Sequence, residues 1–133
     1  MRTRLFAAIG CVAAITLSTG AVAAPHQASI ASRTPRTFIA PTQSGQTVRM
    51  HVGDKLKITL GASFRRPTST NRAVIHRINH SGGYPTNETA RATFKAMSAG
   101  KAVISSETDA PCLHATPRCE IAQQAWFVHV IVK

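Results

Sequence analysis

The chain has 133 residues, the length of one domain, and sets 16 Lys and Arg against 5 Asp and Glu, a formal net charge of +11. A hydrophobic content of 44% with only 16% charged residues excludes an acidic disordered tail. One domain with seven aromatic residues excludes a multidomain enzyme and leaves little room for a large cofactor pocket.

Residues 1–24 read as a secretory signal peptide. Arg2 and Arg4 start it, Leu5 to Leu17 forms an apolar run, and Ala21-Val22-Ala23 supplies a small-x-small cleavage site. The run is too short to span a bilayer, which takes about 20 residues. Cleavage leaves 109 residues, 14 basic against 5 acidic, and a net charge of +9, with no membrane span. It also removes Cys11 and leaves Cys112 and Cys119, an even pair that reads as a disulfide in an exported chain. The expected location is secreted or cell-envelope.

Residues 25–44 carry Pro25, Pro35 and Pro41 and read as a flexible leader, in which only Thr37-Phe38-Ile39 has strand character. A domain is expected over 45–133. Val48, Met50 and Val52 alternate with polar residues, as do Leu56, Ile58 and Leu60. Gly53-Asp54 between them predicts a tight hairpin. A less regular strand follows over Ala73–Ile78. Ala92, Phe94 and Ala96 alternate next, then Ala102 and Ile104 after a turn at Gly100. Trp126, Val128, Val130 and Val132 alternate with Phe127, His129 and Ile131, which predicts a central strand. The fold class is therefore all-β: an immunoglobulin-like antiparallel β-sandwich of six or seven strands.

Three connections exceed what hairpins need: Gly61–Arg72, Asn79–Thr89 and Glu107–Gln124. Long loops on a rigid scaffold are where function concentrates. The first carries Arg65, Arg66 and Pro67, with Arg72 near. The second carries Gly82-Gly83-Tyr84-Pro85, a constrained turn presenting an aromatic side chain, between the glycosylation tripeptides at Asn79 and Asn87. The third carries Cys112, His114, Arg118 and Cys119. A bridge there closes eight residues and is worth about 2.5 kcal/mol by chain entropy. Both Cys lie in one connection, so the bridge stiffens a loop and does not anchor the sheets. A zinc site on Cys112, His114 and Cys119 lacks a fourth ligand. His76, His80, His114, Asp109 and several Ser supply the residue types of a triad, but no Gly-x-Ser-x-Gly elbow places a nucleophile. The expectation is no enzyme, no metal and no cofactor.

The basic excess admits anionic partners. Single-stranded nucleic acid needs aromatic stacking platforms. Few aromatics remain beyond the candidate core residues Phe94 and Trp126, so nucleic acid is disfavoured.

Thr47 to Leu60, Ala92 to Ile104 and Ala125 to Val132 resemble the strands of bacterial secreted immunoglobulin-like modules. The order of the loops is similar to that of the chagasin-like inhibitors of cysteine peptidases, in which three loops at one end form a wedge that blocks the active-site cleft. Phe64–Asn71 would be the first loop, Ser81–Thr86 the second and Asp109–Arg118 the third. Arg66-Pro67-Thr68-Ser69-Thr70 stands in place of the family's Asn-Pro-Thr-Thr-Gly motif, and a Cys-bracketed loop replaces its Arg-Pro-Trp motif. The segment from Ile78 to Ala90 is short for an extra strand, so strict up-down alternation places the first loop at the end opposite the other two.

The resemblance implies a non-catalytic module that binds a protein partner, a cysteine peptidase, through its loops. The alternative partner is an anionic envelope polymer held by basic loops. The residues expected to meet a partner are Arg65, Arg66, Pro67, Tyr84, His114 and Arg118, with Cys112 and Cys119 joined.

Overall fold

The computed structural model describes residues 33–133; the expected signal peptide and residues 25–32 of the leader lie outside them. Eight strands occur in order: β1 (Thr37–Ile39), β2 (Gln46–Met50), β3 (Lys55–Leu60), β4 (Thr68–Ser69), β5 (Ile75–Ser81), β6 (Ala90–Ala96), β7 (Gly100–Glu107) and β8 (Ala125–Val132). They form two four-stranded sheets, β1-β3-β6-β5 and β2-β8-β7-β4. The inner faces are those the alternation predicts: Leu56, Ile58 and Phe94 from one sheet meet Met50, Ile104, Val128 and Val130 from the other, each at most 1% exposed. Burial of these side chains against each other is the main source of stability in such a sandwich. Among the described residues no helix is long and apolar enough to cross a membrane.

The all-β sandwich therefore stands, with eight strands in place of six or seven. Two of its pairings are parallel, β1 with β3 and β2 with β8. Strand β8 is central, as expected, but its outer face is not covered: Phe127 is 37% exposed. Its apolar outward residues therefore did not signal burial on both faces.

The predicted hairpin is wrong. Strand β2 pairs β8, and β3 pairs β6, in the opposite sheet. Residues 51–54 form an arch between the sheets, organised by Asp54, which is 1% exposed. The Asp54 carboxylate accepts the backbone N–H of His51 and of Arg36, each at 2.8 Å. The Arg33 guanidinium lies 3.6 Å away. Burial pushes the Asp54 carboxyl up, but the two amides and the charges of Arg33 and His51 outweigh it and hold its pKa below the usual value.

The same carboxylate corrects the leader. By tying down Arg36, Asp54 starts β1, and Phe38 packs against the core. The one strand expected within the leader, Thr37–Ile39, is β1, so the sandwich begins there and not at residue 45.

Candidate functional site

The chain resolves the parity problem with β4, which has two residues. Strands β3, β5 and β7 run toward one end, and β4, β6 and β8 run back. Because β4 crosses to the other sheet and returns the chain to the base, β5 climbs again beside β6. The segments 61–67, 82–89 and 108–124 therefore share one end, contrary to the alternation argument. Thr68–Asn71, expected in the first loop, leaves this end: Thr68–Ser69 is β4, and Asn71 caps the following turn through its side-chain oxygen.

The three loops are joined by backbone hydrogen bonds. Arg65 N–H donates to Glu107 C=O, Asp109 N–H to Ser63 C=O, and Tyr84 N–H to Phe64 C=O, at 2.8, 2.8 and 2.9 Å. Two glycines allow the last contact. Gly82 (φ +62°) and Gly83 (φ +81°) adopt left-handed backbone, and a Cβ on Gly83 would lie 2.7 Å from Phe64 C=O. The expectation of a special backbone at Gly82-Gly83 thus has a concrete cause: the second loop lies directly on the first.

Side chains brace the same junction. Asp109, 5% exposed, is its hub. Arg65 places Nε 2.7 Å and Nη2 2.6 Å from Asp109 Oδ2, and Nη1 3.0 Å from Glu107 Oε1. His114 Nε2 donates to Asp109 Oδ1 and Oδ2 at 2.8 and 3.0 Å. The Tyr84 ring stacks on His114 with centroids 6.1 Å apart. One path thus links the first loop (Arg65), the third (Asp109, His114) and the second (Tyr84). Burial raises the Asp109 pKa, but the hydrogen bonds from Arg65, His114 and the Ala110 amide, with the Arg65 charge, lower it below the usual value. The hydrogen bond to Asp109 also raises the Arg65 pKa against desolvation.

In the third loop, Pro111–His114 forms one turn of 3-10 helix, and Cys112 and Cys119 are joined as predicted. The bridge takes both sulfurs out of any zinc set. Cys119 N–H donates to Cys112 C=O at 3.1 Å, so the loop is closed by backbone as well as by sulfur. Of His76, His80 and His114, His114 meets an acid among the described residues, and Arg65 shares that carboxylate. Asp109 therefore works here as a brace between loops. His76 and His80 lie on β5.

The predicted contact residues divide into three groups. Arg66, His114 and Arg118 are exposed at the loop end, and Tyr84 is half-buried there. Arg65 is at this end too, but its guanidinium is engaged by two carboxylates. Pro67 is a correction: it is fully buried, and its C=O accepts a hydrogen bond from Arg77, so it supports the loop from below. Sequence reasoning missed Glu107 and weighed Asp109 only as the acid of a triad it set aside, not as a brace between loops. The available signal was that only five acids exist, and these two sit at the mouth of a long loop facing basic ones. An open cleft of about 430 Å³ runs between Arg66, Tyr84, Pro85 and Thr86, with Asp109 in its floor.

No protein-family model matches the chain, and no curated protein does. Among solved structures it is similar to the cysteine protease inhibitor EhICP2 from Entamoeba histolytica, with a TM-score of 0.56 and 11% identity over 76% of this chain and 99% of that one. It is also similar to PbICP-C, solved in complex with falcipain-2, with a TM-score of 0.44 and 15% identity over 74% and 99%. The EhICP2 likeness shows that the two chains share a fold.

Proposed function

We propose that the chain is an exported, non-catalytic module whose three-loop end binds a papain-type cysteine peptidase and blocks its active-site cleft. The observation that carries the reading is the braced convergence of the loops on one end through Arg65, Asp109, His114 and Tyr84. Loops locked before binding lose less conformational entropy on association. Segments 61–66, 82–89 and 109–124 together supply about as many residues as the roughly 20–30 a side of a standard protein interface. The shared fold with EhICP2 supports the same reading. Arg66, Tyr84, Pro85, His114 and Arg118 form the contact rim, and the disulfide keeps the third loop from collapsing.

The alternative of an anionic polymer held by basic loops is weaker at this end. Arg65 is already neutralised by Asp109 and Glu107, which leaves Arg66 and Arg118 as its cations.

The test is titration of papain with the purified chain while hydrolysis of a fluorogenic peptide is followed. Inhibition that reaches a stoichiometric end point supports the proposal. Full papain activity at micromolar chain, with the disulfide intact, overturns it.

A further inference from the structure

The outer face of the β1-β3-β6-β5 sheet carries charge that the loop end does not explain. The register sets Lys55 directly opposite Lys95, with His76 next to Lys95 on β5. Two residues along, Lys57 faces Thr93, beside Asn79; two further, Thr59 faces Arg91, beside Ser81. Leu56, Ile58, Ala92 and Phe94 point inward between these positions, so Lys55, Lys57, Arg91 and Lys95 share the outward side.

Among the described residues, none of the four has a carboxylate within 4.0 Å. The whole chain offers none for the purpose. Its five acids are Asp54, buried in the basal arch, and Glu88, Glu107, Asp109 and Glu120, all at or next to the loop end. Side chains directly opposite in a sheet stand about 5 Å apart, and like charges so placed destabilise the pair. The Lys55–Lys95 pair therefore works against the fold of the free protein. A bound anion would reverse its sign.

The face is also shaped. Where β5 bulges between Arg77 and Asn79, a shallow hollow of about 240 Å³ opens, lined by Lys57, Thr59, Asn79, Ser81, Arg91 and Thr93. Hydroxyl and amide groups interleaved with cations match a chain that carries hydroxyls between its anionic groups. Successive rows lie about 7 Å apart along the strands, so the cations form a stripe roughly 14 Å long.

We infer that this sheet face binds an acidic polysaccharide, with Lys55, Lys57, Arg91 and Lys95 meeting its carboxylate or sulfate groups and the hollow seating one sugar. The site is separate from the loop end and is independent of the peptidase proposal. It holds an exported module on a polyanionic matrix with its loops free.

The experiment measures binding of the purified chain to heparin, a sulfated glycan, and to polygalacturonate, a carboxylated one, across a salt series. Two fourfold variants are compared: K55Q/K57Q/R91Q/K95Q on the face, and R49Q/R72Q/K101Q/K133Q elsewhere with the same net charge. The face variant binds at least ~10-fold more weakly to at least one glycan, with a shallower salt dependence, because the ion contacts set that slope. The control variant shifts by much less. Folding is read separately. The face variant melts no lower than the wild type, since a like-charge pair is gone, and the glycan raises the melting temperature of the wild type but not of the variant. Equal losses in both variants would reduce the effect to net charge and overturn the inference. So would binding to vesicles of equal phosphatidylglycerol and phosphatidylcholine with none to either glycan; Ile39 and Ile78, exposed at the edges of the face, make that arm necessary.

Discussion

Gly83→Ala is the sharpest test of how the loop end is built. Gly83 sits at φ +81°, and the new Cβ would lie 2.7 Å from Phe64 C=O and 3.1 Å from Ala90 Cβ. Left-handed backbone costs an L-residue roughly 1–2 kcal/mol. The contact with Phe64 is to backbone, so it cannot be relieved by a side-chain rotation. The second loop must lift from the first, which breaks the Tyr84 N–H to Phe64 C=O hydrogen bond, a loss of about 1 kcal/mol net. The expected destabilisation is about 2–3 kcal/mol. For a domain of this size that lowers the melting temperature by roughly 8–24 °C. The assay is thermal unfolding followed by Trp126 fluorescence, with Gly61→Ala as control, because its nearest neighbour would be a Phe64 ring atom at an ordinary 3.8 Å. The control stays within about 0.5 kcal/mol of the wild type. A Gly83→Ala protein that melts with the control would refute the claim that the second loop rests on the first.

Asp54→Ala strips two backbone amides of their acceptor and destabilises the fold by about 1–3 kcal/mol, with the loss of protection at Arg36 and His51 visible by amide exchange. Asp54 and Asp109 both have folded pKa values below their unfolded ones. Their contribution is therefore complete above about pH 4 and is lost as the pH falls through the folded values, so denaturant titrations show stability dropping with acid and D54N/D109N flattening that slope. Removing the disulfide in C112A/C119A forfeits up to about 2.5 kcal/mol, and because both ends lie in one connection, faster amide exchange is confined to residues 110–124 while β6 and β8 keep their protection.

Alternation revealed the inward residues of β3, β6, β7 and β8 before any coordinates, since a period of two assigns faces directly. It does not assign partners. Val48 and Met50 look the same whether β2 folds back on β3 or arches to β8, and the deciding group, Asp54, reaches Arg36 eighteen residues upstream. Strand β4 escaped notice because two residues cannot display a period, yet it turns the first loop toward the other two. Of the site, the exposed cations were legible from residue type, and the disulfide from the even pair, Cys112 and Cys119, that the expected cleavage leaves. The Arg65–Asp109–His114 junction was not, because it spans 44 residues and depends on that hidden strand.

The central claim is that three loops, at one end, make the contact with a peptidase. Hydrogen exchange of the chain alone and mixed with papain measures it directly. The account predicts that papain slows exchange in segments 61–66, 82–89 and 109–120 together, while the outer faces of both sheets exchange as before. Protection confined to a sheet face, to one loop only, or to no segment at saturating papain would contradict it.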